Sequence, residues 1–487
     1  MTSQPILDLW TRAATAAADA PALIDDERDE WVSHAALVEK ADRWSAAIGE
    51  VAPRPLVFLL AESRVDAVAA WLGAWRVGAA VALVNPLLKD ADLDALLRAY
   101  RPDGVVAPPS LSEIEGYLPR AVAGAGAVRL FVHGARAEGA IDPDLALLLF
   151  TSGTTGSPKA VRLSSRGIGH NTTAIIESLK LTAGETALGH LKLNYSFGMS
   201  VVNSHLAAGG SIVLTSQSLA NPALWKRATT LHVTTLPGVP AQYELLHRLR
   251  FDAGRFCPSL RVMTQAGGKA RADLLDHFSD MMKARGGRFY VMYGQTEAGP
   301  RMACQELTGP GGDPAAAGWA LPDGEFQILD ESSRPRPSGE TGSIRYRGPS
   351  VMLGYAHSRA DLGLGDDNQG VLDTGDIGYL GSDGKLFIVG RSKRFAKVGG
   401  IRCNLDEIER AAAKIASPAA VLSEEDSIVV FWPEDAVANP REAAIQLARE
   451  LAFPASAVHC RVVHAIPRLE SGKTDYAALR ELADGRS

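Results

Sequence analysis

The chain has 487 residues, 46% of them apolar and 22% charged. This is ordinary globular composition, and it excludes collagen-like, disordered and coiled-coil classes. A formal net charge of −6, from 50 basic and 56 acidic residues, argues against a dedicated nucleic-acid binder, which carries a basic excess.

Residues 1–10 hold no charged region followed by an apolar core, so no secretory signal is expected. The run Leu56-Val-Phe-Leu-Leu60 reads as a strand covered on both faces. Residues 65–75 have helical spacing, 79–84 form a second apolar run ended by Asn85-Pro86, 90–100 are amphipathic, and 104–107 read as a strand. The most apolar window, 67–84, is interrupted by Arg76. Its Ala and Gly content predicts a core helix followed by a buried strand, not a membrane span. This rhythm predicts an α/β fold, with parallel-type sheets covered by helices on both faces. The middle of the chain repeats it, with a strand at 212–214 after Gly209-Gly210, a helix over 272–284 stopped by Gly286-Gly287, and a buried strand at 289–293. Met281 and Met282 are expected to fill core space.

From 324 to 390 the texture changes. Short strands at 325–329, 342–346 and 385–389 are separated by Gly, Pro and Asp turns, which predicts a small β subdomain. After Lys393 the pattern becomes α+β and ends in a helix from Asp475. The expected organisation is a body over 1–390 that includes the β subdomain, a hinge at 391–393 and a C-terminal domain over 394–487. Cys257, Cys304, Cys403 and Cys460 are scattered and form no CxxC. No zinc site or disulfide framework is expected, and a reducing, cytoplasmic compartment fits.

The strongest chemical signal follows the apolar strand at 145–150: Thr151-Ser152-Gly153-Thr154-Thr155-Gly156-Ser-Pro-Lys159. Glycines permit tight turns that aim backbone N–H groups at an anion, the hydroxyls add donors, and Lys159 supplies a point charge suited to phosphate. With 13 lysines against 37 arginines, a lysine here is less readily accidental. The spacing is not that of a Walker A loop, and Ser471-Gly-Lys-Thr474 lacks the upstream glycine because Pro467 stands there. No GxSxG, HExxH or GxGxxG motif lies on a suitable strand–helix junction. The hydrolase, metallopeptidase and dinucleotide-dehydrogenase readings therefore lose their main support.

The loop at 151–159 resembles the signature of adenylate-forming enzymes: acyl-CoA synthetases, stand-alone adenylation domains and related ligases. Four further segments match in order. They are Tyr293-Gly294-Gln295-Thr296-Glu297, Asp373-Thr-Gly-Asp376, Gly390-Arg391-Ser-Lys393-Arg-Phe-Ala-Lys397 with the residues to Glu409, and Pro467-Arg-Leu-Glu-Ser-Gly-Lys473. The resemblance implies ATP and Mg²⁺ as cofactors. Tyr293 would stack on adenine, with Gly267 and Gly268 allowing backbone to approach the ring. Thr296 would donate to the α-phosphate, and Glu297 would help hold Mg²⁺, a hard cation that prefers oxygen. Asp376 would accept the ribose hydroxyls with Arg391 beside it. Taken alone, Asp373-Thr-Gly-Asp376 also reads as a simple turn. Lys473 would stabilise the charge that builds when a carboxylate attacks the α-phosphorus. Lys393 would be the hinge about which the C-terminal domain turns between two half-reactions, bringing Gly399-Gly400 to the site.

The segment from Leu191 to Ser200 lies where the family selects its acid. Amino-acid-activating members often place an aspartate after the phenylalanine as an ammonium clamp, but here Gly198 follows Phe197. An α-ammonium would be left unpaired in a buried pocket, which is costly. The expected substrate is a small carboxylic acid lacking an α-amine. Tyr195 stands where many acyl-CoA synthetases place a histidine, and Lys192 replaces a frequent proline. Tyr195, Ser196, Met199, Val239, Met292 and Pro300 suggest an aryl or cyclic acid over a long acyl chain. The acceptor is expected to be CoA, with an amine (an amide bond synthetase) as the alternative and a non-catalytic nucleotide-binding protein as a third reading. Because the sequence stops shortly after Lys473, no fused carrier domain is expected. Neither a membrane nor a nucleic-acid partner is expected.

Overall fold

The computed structural model describes residues 5–60, 62–126, 128–135, 138–150, 159–398, 401–424, 427–451, 453–469 and 472–483, with the side chains of 393, 395, 397, 401 and 402 left out. It divides into two compact units. The first holds the residues up to Phe326 together with Tyr346–Leu372, and the second holds Gln327–Arg345 and the residues from Asp373 onward.

The first unit is built on two large mixed sheets. The eight-stranded sheet runs Gly354–Ala356, Ala160–Ser164, Leu145–Phe150, Ala80–Val84, Leu56–Leu60, Gly104–Ala107, Arg129–His133 and Tyr117–Arg120. Its four central strands are parallel, and every residue of Leu56–Leu60 and Ala80–Val84 is buried. Continuous apolar runs are what a strand covered on both faces requires. The nine-stranded sheet runs Trp319–Ala320, Ala303–Glu306, Arg288–Tyr293, Val262–Gln265, Thr235–Gly238, Thr186–Gly189, Ser211–Leu214, Pro21–Asp25 and Glu30–Ser33. Its strands from Arg288–Tyr293 through Pro21–Asp25 are parallel, with antiparallel strands at both ends. The predicted α/β class with parallel-type sheets therefore holds.

The helix Val65–Arg76 is buried along almost its whole length. It packs so closely on the helix His34–Gly49 that a Cβ on Gly73 would meet the Ala41 carbonyl and the Trp44 Cβ at 2.5 Å. Trp10, Trp71 and Trp75 close this layer with ring centroids 4.9–5.9 Å apart. The apolar window at 67–84 is thus a core helix and a buried strand, and among the described residues no helix is long and apolar enough to cross a membrane. Met282 lies in the core between the helix Ala272–Lys283 and the strand Arg288–Tyr293, and Met281 packs against its edge.

The strands Glu325–Leu329, Gly342–Arg347, Val371–Leu380 and Leu386–Arg391 form a four-stranded sheet. The rest of the second unit is α+β. A three-stranded sheet of Ala420–Glu424, Ser427–Pro433 and Val458–Val463 packs its Trp432 side against the helices Leu405–Ile415 and Pro440–Glu450.

Candidate active site

In the first unit, Leu145–Phe150 and Ala160–Ser164 pair antiparallel, with Phe150 opposite Ala160. The two strands therefore hold both ends of the predicted phosphate loop. Thr151, Ser152, Gly153, Thr154, Thr155 and Gly156 themselves lie outside the described residues. Lys159 is described, and its ammonium sits 3.4 Å from the centroid of the Tyr355 ring. Tyr355 in turn donates its hydroxyl proton to Glu297 Oε1 at 3.0 Å. Burial, reinforced by the Glu297 charge, pushes the Tyr355 phenol well above its ordinary pKa, so it remains a donor.

Glu297 lies on the short 3₁₀ turn Thr296–Ala298 that follows the strand Arg288–Tyr293. The Glu297 carbonyl accepts from the Met352 N–H at 2.9 Å, which ties this turn to the segment leading into Tyr355. Thr296 Oγ1 and Ser196 Oγ share a hydrogen bond of 3.0 Å, joining the end of the strand to the start of the helix Ser196–Ala207. Tyr293 packs 6.2 Å from Phe326, and Gln295 Nε2 donates to its hydroxyl. Gly294 is required by a close approach, because a Cβ there would run into the Pro300 carbonyl. Gly267 has a φ of +87°, which favours glycine, and a Cβ there would collide with the Tyr195 hydroxyl and lie 3.2 Å from Val239. Gly268 is less constrained and meets only Pro240.

Gly198 sits in the first turn of the helix, directly under the Leu191 and Lys192 carbonyls. An aspartate at this position would clash with backbone, so the ammonium clamp is sterically excluded as well as absent. Met199 is fully buried and accepts from Asn203 Nδ2 through its sulfur.

Two residues that sequence reasoning passed over belong to this cluster. Tyr355 carries no local signal, since its partners are 58 and 196 positions away in the chain. Arg301 had a signal, being a charge beside Pro300 in an otherwise small and apolar stretch. It is 3% exposed, its Nη1 donates to Ser200 Oγ at 3.0 Å, and its Nε donates to Met292 Sδ at 3.2 Å. Its guanidinium stacks 4.2 Å from the Phe197 ring centroid. Asn171 clamps its backbone, donating to the Arg301 carbonyl at 2.8 Å and accepting from its N–H at 3.3 Å. Burial pushes the Arg301 pKa down to about 10, which leaves it charged at neutral pH. The Tyr195 phenol is pushed up by burial, and the Arg301 charge opposes that shift.

In the second unit, Asp376 is not in a turn. It lies inside the strand Val371–Leu380, directly opposite Arg391 on Leu386–Arg391. Arg391 Nε reaches Asp376 Oδ1 at 3.1 Å, so the two predicted ribose contacts are held as a pair. Lys393 lies in the 3₁₀ turn Ser392–Arg394. The next residue, Arg394, is anchored by Asp406 at 2.7 Å and Glu409 at 2.9 Å, and it stacks on Tyr476 at 4.1 Å. Lys473 is exposed on a tight turn closed by the Arg468–Thr474 bridge, in which the Leu469 N–H donates to the Lys473 carbonyl at 2.8 Å. Gly399 and Gly400 lie outside the described residues.

The donor set fits the cofactors that these motifs imply. Glu297 accepts from Tyr355 on one oxygen, and its other oxygen could serve a hard cation. One carboxylate plus substrate phosphates is the usual way Mg²⁺ is held.

The same pattern recurs in known proteins. A family model described as AMP-binding enzyme matches residues 10–356. An acyl-CoA synthetase, ALT10 of Alternaria alternata, is 30% identical over 293 residues, which cover 55% of this chain and 51% of that protein, so the match spans about half the length of this relative. The ATP-bound structure of MatB from Rhodopseudomonas palustris superposes with a TM-score of 0.81 over 98% of both chains at 23% identity. The anthranilate CoA ligase AuaEII in complex with anthranoyl-AMP gives 0.80, over 99% of this chain and 97% of that one, at 20% identity. At these identities the two structures establish a shared fold. With the family model covering well over half of its residues, the chain belongs to the AMP-binding enzyme family.

Proposed function

We propose that this chain is an ATP- and Mg²⁺-dependent carboxylic acid ligase. An oxygen of the acid attacks the α-phosphorus of ATP, the bond to the β-phosphate bridge breaks, and acyl-adenylate and pyrophosphate form. The CoA thiol then takes the acyl group and releases AMP. The observation that carries this reading is the convergence on Tyr355. One side chain touches the ammonium of the phosphate lysine Lys159 and the carboxylate of Glu297, from motifs far apart in sequence. Lys159 would neutralise phosphate charge, Thr296 would donate to the α-phosphate, and Glu297 would hold Mg²⁺, which polarises the phosphoryl oxygens when bound. Asp376 with Arg391 would hold the ribose, and Lys473 would supply the ammonium at the developing charge. The anchoring of Arg394 supports Lys393 as the last residue before the C-terminal cap, hence as its hinge.

The absence of an ammonium clamp at Gly198 and the Phe197–Tyr195 ring pair, 6.2 Å apart, support an aryl or cyclic acid without an α-amine. AuaEII, an anthranilate CoA ligase, and ALT10, an acyl-CoA synthetase, support CoA as acceptor. The test is pyrophosphate release from ATP with a panel of acids, alone, with CoA, and with a primary amine. Acyl-CoA as product supports the reading. Amide formation without thioester identifies an amide bond synthetase, and nucleotide binding without pyrophosphate release identifies a non-catalytic protein.

A further inference from the structure

Every other buried arginine described in the chain faces a carboxylate. Arg162 pairs with Asp367 and Arg359 with Asp103. Arg301 does not: its side-chain partners among the described residues are a serine hydroxyl, a methionine sulfur and the Phe197 ring face. Burying a guanidinium costs several kcal/mol that neutral partners do not return, whereas a carboxylate matched to its planar fork does. Asn171 fixes the backbone of this residue, so the charge is held where it is.

The location gives this charge a purpose. Ser196 and Ser200 are one turn apart on the helix Ser196–Ala207. Ser196 bonds to Thr296, which the ligase reading places at the α-phosphate, and Ser200 bonds to Arg301. The serine that holds the cation thus lies about 5–6 Å, one helical turn, along the helix from the serine that bonds to Thr296. Phe197, between the two serines in sequence, presents a ring face to the guanidinium.

We propose that Arg301 is a specificity-determining residue that binds a second carboxylate on the substrate, so that the preferred acid is a compact aromatic or cyclic dicarboxylate. This rests on the ligase reading above. It explains in one step why a buried arginine has no counterion among the described residues and why the segment carrying it is clamped.

The experiment measures acid-dependent ATP–pyrophosphate exchange with matched pairs: benzoate against benzene-1,4-dicarboxylate, and the cyclohexane equivalents. The wild-type enzyme is expected to favour the dicarboxylate by roughly 30-fold or more in kcat/KM, as for a desolvated charge pair. In Arg301→Met that ratio collapses, mainly through a higher KM for the dicarboxylate, and Arg301→Lys recovers part of it. Exchange with monocarboxylates at equal or better efficiency in the wild type overturns the inference while leaving the ligase reading intact. An unchanged ratio in Arg301→Met also overturns it. If that variant does not fold, the wild-type ratio alone decides. Exchange with none of the acids overturns the ligase reading and this inference together.

Discussion

Tyr355 offers the sharpest test of how Lys159 and Glu297 are held in the candidate site. Tyr355→Phe keeps the ring 3.4 Å from Lys159 Nζ and removes the 3.0 Å bond to Glu297. A hydrogen bond to a charged group contributes about 1.5–3 kcal/mol. Glu297 is only half-buried, so water replaces part of it, and a loss of about 1–2 kcal/mol remains. That is about 5–30-fold in kcat/KM for adenylation. Tyr355→Leu also removes the ring face under the ammonium, adding about 0.5–2 kcal/mol. The loss should therefore deepen from wild type to Phe to Leu, and the Phe variant should need more Mg²⁺ for half-maximal rate, because its Glu297 is no longer oriented. The assay is pyrophosphate exchange at saturating acid, titrated with ATP and then with Mg²⁺. Both variants folded and within twofold of wild type, with unchanged Mg²⁺ dependence, would refute the positioning role.

Further predictions concern Gly198 and His205. Gly198→Asp does not create an amino-acid ligase, because its Cβ meets the Lys192 and Leu191 carbonyls. It should instead lower stability by about 1–3 kcal/mol, the usual cost of overpacking. A fully stable variant that supports amino-acid-dependent exchange would contradict this. His205 is fully buried on the helix Ser196–Ala207. Its Nδ1 faces the Val201 carbonyl at 2.9 Å, its Nε2 has no hydrogen-bond partner among the described residues, and burial pushes its pKa down to about 4 from 6.5. A folded pKa below the unfolded one means that the stabilisation is complete above pH 6.5 and is lost as pH falls towards 4. The loss is about 3 kcal/mol at about 1.4 kcal/mol per pH unit. Denaturant unfolding of His205→Leu from pH 7 to 4 should show a shallower decline than wild type, and parallel curves would count against it.

The sequence displays the parts of the fold whose signal is local. The strands 56–60 and 104–107 and the helix 90–100 coincide with observed elements, because apolar runs and amphipathic spacing are set within each segment. Weakly patterned edge strands such as Tyr117–Arg120 and Gly354–Ala356 exist because a neighbouring strand supplies their ladder, so nothing in their own residues announces them. Asp373-Thr-Gly-Asp376 has turn composition and yet lies within a ten-residue strand, for the same reason. At the candidate site, each motif is legible from its own residues, and the structure holds Asp376 and Arg391, from two of them, as a pair. Missing were the residues that act across motifs. Tyr355 matters only through Lys159 and Glu297, and Arg301 only through Ser200, Met292 and the lack of an acidic neighbour among the described residues. Neither condition is visible without the tertiary contacts.

Acid-dependent exchange of pyrophosphate into ATP, comparing wild type with Lys473→Ala, tests the central claim most directly. Exchange is expected to require both a carboxylic acid and Mg²⁺ and to fall by roughly 10²–10³-fold or more without the Lys473 ammonium. Wild-type exchange in a folded Lys473→Ala variant, or cleavage of ATP to ADP and phosphate in place of AMP and pyrophosphate, would contradict it.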